Sequence, residues 1–390
     1  MSKYIPLSVP SINGNEWKYV KECLDTEWVS SAGKYVDLFE QKIAEYTGSK
    51  YAVACVNGTS ALQISLQLAG VRRDDEVIVP TLTFIAPVNV ITYCNATPVF
   101  MDADKYYNID AEKTIEFILS ETDFLNGFTY NKITKKRISA IIPVHVWGNA
   151  CWLDELVKVC DERNISIVED ASESLGTFYT KGIYSGKHTG TIGMLGCISF
   201  NGNKIITCGG GGVILTDDSE LADKARYLTT QAKDDSIKYI HNEIGYNFRL
   251  TNIQAALGVA QLEQLPEALK KKKEIHNQYV LAINKLKGLS IANTPEYSNN
   301  NSWLNILQID TFKIENNIET ITMMLEIEGI QTRPVWYLNH LQKPYHKCYA
   351  IEIDLAPQLV YYSLCLPSSI DLSNNDIFKI VESLDMFLNK

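Results

Sequence analysis

The sequence predicts an α/β protein with a mostly parallel central sheet and a smaller C-terminal α/β domain. Short apolar runs rich in β-branched residues alternate with stretches of helical spacing, which is the pattern of strands joined by crossover helices. Small, polar or glycine-rich turns follow several of these runs, at the strand ends where ligands of open α/β sheets collect. The chain has 390 residues, of which 46% are hydrophobic and 21% charged, enough apolar material to bury a large core in two domains.

Taken in order, Val53 to Val56 reads as the first strand, and the helical pattern Ala61 to Gly70 follows it after a four-residue turn. Further strands are expected at Glu76 to Val79, Pro98 to Met101, Ala140 to Val144, Ile165 to Val168, Cys197 to Phe200 and Gly212 to Leu215. Leu153 to Arg163 is helical in pattern. In Thr251 to Leu265 the residues Ile253, Ala256, Leu257 and Ala260 recur at helical spacing, so that stretch belongs to core or interface. A boundary near Pro266 divides the chain into a large domain, 1–265, and a small one, 266–390. Just beyond it, Lys270 to Lys273 read as the solvated face of a connecting helix.

Four turns carry chemistry. Asn57-Gly58-Thr59-Ser60 stands between a strand and a helix start, where backbone N–H groups, two hydroxyls and the positive helix end surround one point suited to a phosphate monoester. Ordinary N-capping by Asn57 or Thr59 is the alternative. The turn is neither a Walker loop nor a dinucleotide fingerprint, since neither glycine pattern is present. Asp170 closes the run Ile165 to Glu169, where a carboxylate can keep a heteroaromatic nitrogen protonated; a turn or helix-cap residue is the plainer reading. Lys204 follows Ser199 to Asn203 and precedes Gly209 to Gly212, a sharp turn that would suit an amine committed to a Schiff base, or a solvated hairpin lysine. The separation of 34 positions from Asp170 to Lys204 lets the chain leave the sheet and return to the same edge. The fourth turn, Gly245 to Asn252, is polar and aromatic and leads into a long helix.

These motifs together resemble the DegT/DnrJ/EryC1/StrS group of pyridoxal-phosphate-dependent sugar aminotransferases, which have the fold-type I architecture. The resemblance runs from Ile5-Pro6-Leu7 and Trp28 to Gly33 through Arg333 to Trp336. Within the group, His145 to Ala150, Ser199 to Lys204 and Leu338 to Gln342 most resemble the branch that makes 4-amino sugars on the way to legionaminic acid or bacillosamine.

The resemblance implies that Lys204 forms the Schiff base with the cofactor and shuttles protons, that Asp170 pairs with the pyridinium nitrogen, and that Phe84 stacks on the ring. Gly58, Thr59 and Ser199, with Ser60 beside them, would hold the phosphate, joined by Asn247 from the second subunit of a homodimer with shared active sites. Glu173 occupies a position that is glutamine in many relatives, where it contacts the phenolic oxygen of the cofactor. Trp28, Ser31, Arg249, Arg333 and His340 are the candidates for the substrate side. The activity implied is transfer of an amino group from L-glutamate, through pyridoxamine 5'-phosphate, to the 4-keto carbon of a nucleotide-linked 6-deoxyhexose carrying a 2-acetamido group.

Composition is consistent with this. The balance of 36 basic against 46 acidic residues gives −10, which disfavours nucleic acid or an anionic membrane as partner and requires local basic groups for an anionic nucleotide sugar. No run reaches the ~20 apolar residues of a membrane span, and a cytoplasmic location is expected. Nine cysteines without a C-x-x-C read as free thiols, and the six histidines show no zinc spacing, so no metal is expected. The rival readings are a Rossmann-type nucleotide-sugar oxidoreductase, which lacks its glycine fingerprint here, and a non-catalytic cofactor-binding regulator, against which Lys204 and Asp170 both stand. Dehydratases of the same group bear histidine at the Schiff-base position, whereas this chain has lysine.

Overall fold

The computed structural model describes residues 4–235, 237–310, 314 and 317–388. Residues 389 and 390, at the end of the proposed small domain, lie outside the described residues. The central sheet uses β1 (Tyr51–Cys55), β2 (Glu76–Pro80), β3 (Thr97–Met101), β4 (Arg137–Ile141), β5 (Ser166–Asp170), β6 (Leu195–Ser199) and β7 (Gly212–Thr216). Each expected strand is therefore present, displaced by one to three residues. The run ending at Val144 stops as a strand at Ile141: Pro143 has no N–H to donate, although its carbonyl still accepts from the Asp170 amide at 2.9 Å.

A small C-terminal sheet is built from β8 (Leu289–Ile291), β9 (Asn305–Ile309), β10 (Arg333–Pro334) and β12 (Ser363–Leu366), while β11 (Ala350–Ile351) joins the large sheet instead. The order across the large sheet is β1-β7-β6-β5-β4-β2-β3-β11, with a hairpin, Thr122–Leu125 and Phe128–Asn131, attached at β4. Neighbours from β6 to β11 run parallel, and only β7 runs against both of its neighbours, so the sheet is mostly parallel. Asp170 pairs with Cys197 across β5 and β6, which puts the ends of these two strands at one edge. The small sheet is antiparallel throughout, in the order β8-β9-β12-β10.

Five helices matter for the site: α1 (Glu16–Asp25), α2 (Lys34–Thr47), α3 (Gly58–Leu68), α4 (Asn252–Glu263) and α5 (Leu265–Ile283). Helix α4 starts at a capping box made by Thr251 and Gln254 and buries Ala255, Ala256, Val259 and Ala260, in contact with α1 and α2; of the four residues expected from spacing, Ala256 and Ala260 are buried and Ile253 and Leu257 half-buried. Pro266 falls in the first turn of α5, where a missing N–H costs nothing. Two segments cross the proposed division at this point. Ile5 packs with the C-terminal core, which includes Ile275, Leu307 and Leu364, and β11 pairs in parallel with β3.

One expectation fails here. Lys272, read as part of a solvated face, is 2% exposed and points inward. Its amine donates to the Trp303 carbonyl at 2.9 Å and to the Ser368 carbonyl. A four-lysine run on a helix cannot keep every member in water when one face of that helix packs on the core.

Candidate active site

The site lies where β1, β5 and β6 end and the antiparallel β7 begins. At the start of α3, the Asn57 side chain accepts from the Ser60 amide at 2.7 Å and its carbonyl accepts from Ala61 at 3.2 Å. Asn57 is therefore the N-cap, and the amides of Gly58 and Thr59 are left at the open helix end. A methyl group placed on Gly58 would lie 2.9 Å from Ser199 Cβ and 3.2 Å from Ser172 Oγ, so the glycine leaves a cradle bordered by two serines. Gly212 lets β7 approach the same turn, because a Cβ there would stand 2.5 Å from the Asn57 carbonyl carbon.

Lys204 ends a tight turn closed by a 3.0 Å bond from its amide to the Asn201 carbonyl. Its amine lies 3.2 Å from Glu173 Oε1 and 4.1 Å from the centre of the Trp303 ring, and its side chain is 13% exposed. Asp170 is buried and accepts from the Ser172 amide at 3.0 Å. Burial pushes its carboxyl up, against the opposing pull of Ser172, Lys204 and His145. Burial likewise raises the Glu173 carboxyl, helped by the nearby Asp170 and opposed by Lys204 and the Trp147 amide, which donates to Glu173 Oε2 at 2.9 Å.

Behind Asp170, Glu169 is fully buried. It accepts from the amides of Gly190, Ile192 and Gly193 at 2.8, 2.6 and 2.7 Å and from His145 Nε2 at 2.8 Å. The Cys151 amide donates to His145 Nδ1 at 3.0 Å, so the ring proton sits on Nε2. Burial alone would raise the Glu169 carboxyl, but His145 and the loop amides outweigh it and hold it below the usual carboxylate range. This clasp fixes the strand end that presents Asp170.

The other sequence candidates divide. Phe84 is 54% exposed; Asn339 and His340 are tied to the residues just before it, through Asn339 Nδ2 on the Thr83 carbonyl at 2.8 Å and His340 Nδ1 against Thr81 Oγ1 at 2.6 Å. Asn247 is exposed between Tyr246 and Phe248, whose rings stack at 4.9 Å. Arg333 is exposed and pairs across the small sheet with Cys365, whose thiol lies within the field of Glu173. Trp28 and Ser31 are exposed on a loop fastened by Asn252, which donates to the Trp28 carbonyl at 2.7 Å; they share no described contact with Lys204.

Arg249 is not a free substrate-binding group. Its guanidinium pairs with the Glu40 carboxylate, and Glu40 also accepts from the Ala54 amide at 2.7 Å, so this arginine is spent on joining α2 to β1. Sequence reasoning missed Ser172, Trp303 and Asn301. The polar run Asn299 to Ser302 before an apolar strand was the available signal for the last two.

The DegT/DnrJ/EryC1/StrS aminotransferase family model matches residues 10–385. The chain belongs to this family. The aminotransferase is 38% identical over 385 residues to the GDP-perosamine synthase of Escherichia coli O157:H7, covering 99% of each chain. It is 36% identical over 389 residues to the GDP-perosamine synthase of Caulobacter vibrioides, covering 98% of each. Its fold matches the crystal structure of DesI in the presence of its TDP-sugar product with a TM-score of 0.88 and 26% identity, over all of this chain and 94% of that one. The α/β architecture and the aminotransferase activity expected from the sequence are thereby shown, and the family's cofactor is pyridoxal 5'-phosphate. The donor set fits that cofactor: a cradle bordered by hydroxyls at a helix N-terminus for its phosphate, a buried carboxylate for its ring nitrogen and a partly buried amine for its aldehyde.

Among the described residues no group of three or more His, Cys, Asp or Glu could hold a metal ion, and no helix is long and apolar enough to cross a membrane. All nine cysteines are free.

Proposed function

We propose that this aminotransferase moves the amino group of L-glutamate to the 4-keto carbon of a nucleotide-linked 4-keto-6-deoxyhexose, giving a 4-amino sugar nucleotide for surface-glycan synthesis. The observation that carries the reading is the convergence of the Lys204 amine, the Asp170 carboxylate and the Gly58 cradle at one sheet edge. Full-length similarity to two GDP-perosamine synthases supports the sugar part of it.

Bound pyridoxal phosphate supplies an electron sink that makes the α-proton of the amino donor acidic. Lys204 Nζ is the group placed to take and hold that proton, since it ends a tight turn and its amine lies in the site. Asp170, held by Ser172 and flanked by the Glu169 clasp, supplies a fixed negative charge to the ring nitrogen. Gly58, Thr59, Ser60 and Ser199 serve the phosphate, with Ser172 added by geometry. Phe84 serves the ring face and Glu173 its phenolic oxygen. Arg333 and His340, on the small-domain side, and Trp28 and Ser31 serve the substrates. Asn247, exposed on its loop, serves the cofactor of a partner subunit, so the active unit is a homodimer. A fully active, cofactor-loaded monomer would contradict that last point.

The relatives shift the expected sugar. A GDP-linked sugar, as in the names of these relatives, stands beside the 2-acetamido sugars of the legionaminic acid and bacillosamine routes. The deciding experiment incubates GDP- and UDP-linked 4-keto-6-deoxyhexoses, with and without a 2-acetamido group, with glutamate and weighs the products. An amine in place of the carbonyl oxygen is expected for at least one. Absence of an amine product from every one of these 4-keto sugars would overturn the reading.

A further inference from the structure

We infer that Trp303 and Glu173 form a two-sided holder for the Lys204 amine while that amine is not bonded to the cofactor, with Asn301 and Lys272 as its positioning residues. The inference rests on the reading of Lys204 as the cofactor lysine. Lys204 Nζ lies 3.2 Å from the Glu173 carboxylate and, over the face of the Trp303 indole, 4.1 Å from the ring centre. An ammonium drawn out of water is stabilised both by an aromatic face and by a carboxylate, and here the two are supplied together.

Trp303 is not free to swing. It is 3% exposed, and its indole Nε1–H donates to the Asn203 carbonyl at 2.7 Å, one residue before Lys204. Its amide donates to Asn301 Oδ1 at 3.0 Å and its carbonyl accepts from Lys272 Nζ at 2.9 Å. The same Asn301 side chain donates through Nδ2 to the carbonyls of Glu173 and Leu175, each at 2.9 Å. One buried amide therefore sets the spacing between the two sides of the holder. Gly148 makes room for it, since a Cβ at that position would stand 2.0 Å from Asn301 Oδ1. Lys272 completes the arrangement by bridging Trp303 to Ser368 of the C-terminal segment.

The use of such a holder follows from the side chain it holds. A lysine amine on a four-carbon stem samples many rotamers once released, and in amino transfer it would be free from its displacement by the amino donor until it displaces the product amine. Confining the free amine between a ring and a carboxylate keeps it within reach for proton transfer and shields it from solvent. Loss of the holder should then slow proton transfer without weakening donor binding.

Two readouts test this. In cofactor-free enzyme, acylation of Lys204 by an amine-directed reagent, followed by peptide mass, should be at least about fivefold faster in Trp303→Leu than in the wild type. It should stay within about twofold in Trp303→Phe, which keeps a ring face, as contacts of this kind correspond to about two- to thirtyfold. In loaded enzyme, the single-turnover rate with glutamate should fall about tenfold in Trp303→Leu, with the glutamate half-saturation changed less than about threefold and Phe restoring most of the rate. Should the Leu variant fail to fold, Lys272→Met, which retains Trp303 but frees its carbonyl, carries the same prediction at about twofold or more.

Unchanged labelling in whichever variant folds would overturn the proposal. So would a Leu variant whose only defect is a raised sugar KM, because Trp303 would then be a sugar platform. Borohydride fixation and peptide mapping of the wild type test the reading of Lys204 separately: a label on another lysine sinks that reading, whereas the cofactor-free labelling reports on the holder alone.

Discussion

The pair Lys204–Glu173 sets two opposing effects against each other, and a mutant cycle in the cofactor-free enzyme separates them. The contact is 3.2 Å with the two side chains 13% and 5% exposed, so it is a charge-assisted bond in a mostly dry site, of about 1.5–3 kcal/mol. Against it stands burial, the largest influence on Glu173, which together with Asp170 leaves its carboxyl raised in spite of the lysine. A raised carboxyl means that folding shifts the balance toward the neutral acid relative to water, so the desolvation of the charge outweighs the attraction it gains. Glu173→Gln should therefore leave the cofactor-free protein within about 1 kcal/mol of the wild type, or more stable, although an ion pair is lost. Lys204→Met removes the only cation described in contact with Glu173 and should cost about 1–3 kcal/mol. In the Gln background the same change should cost about 1–2 kcal/mol less, and that difference is the coupling.

Urea unfolding of the four proteins at pH 7 measures it, and equal costs of Lys204→Met in both backgrounds would refute the argument. The pH dependence supplies a second check. Because the folded carboxyl binds its proton more tightly than the unfolded one, whose pKa is about 4.3, the folded state holds more protons above that value and stability falls as pH rises. This contribution is present below the unfolded value and is lost through the folded one. The wild type should show that slope, and Glu173→Gln a shallower one.

Four further outcomes are expected. Lys204→Ala should lower turnover at least about a thousandfold and abolish borohydride fixation of the cofactor at residue 204, read by kinetics and peptide mass. Gly58→Ala should weaken cofactor binding by about ten- to a hundredfold, measured by titration of the cofactor-free enzyme, because its Cβ would stand 2.9 Å from Ser199 Cβ. Arg249→Ala should lower thermal stability by a few degrees while leaving substrate KM unchanged, since it leaves the part-buried Glu40 carboxylate with only the longer 3.5 Å pair to Arg226, at a cost of about 1–3 kcal/mol. His188, buried with Nδ1 against the Thr189 carbonyl and Nε2 accepting from Gly176, is pushed down to about 4 by burial. Between about 6.5 and 4 the unfolded chain gains a proton that the folded one refuses, so about 3 kcal/mol is lost as pH falls through that window; His188→Gln should flatten this part of a pH-dependent urea series.

The features legible in the sequence are those that a single local segment determines. Strand, small turn and helix start follow one another within Val53 to Gly70, and the fold keeps them so because the apolar period and the Asn57 cap act over a few residues. Asp170 and Lys204 could be placed at one edge for a related reason: Asp170 ends β5, Lys204 lies in the turn that follows β6, and these parallel neighbours bring equivalent ends together. Where a role depends on a partner distant in sequence, the same reading has nothing to act on. Arg249 looks like any exposed arginine until α2 delivers Glu40 from 209 positions away. Lys272 looks solvated until β9 and β12 are in place around it, and only then does its amine meet the carbonyls of residues 303 and 368. The two-residue strand Ala350–Ile351 has no pattern of its own; it exists because the edge of β3 is open to it.

The same division explains why the candidate site was found but left without the group that faces its lysine. The cofactor-side residues arrive on strand ends, whose chemistry is written beside them in turns. Trp303 arrives from a segment 99 residues after Lys204 and is oriented by an asparagine whose own partners are carbonyls of residues 173 and 175. Backbone carbonyls carry no residue-specific signal, so an arrangement built on them is visible only in the fold. A consequence is that substitutions at Asn301 and Lys272, neither of which touches the cradle at Gly58, should alter how the lysine is held more than how the cofactor's phosphate is bound.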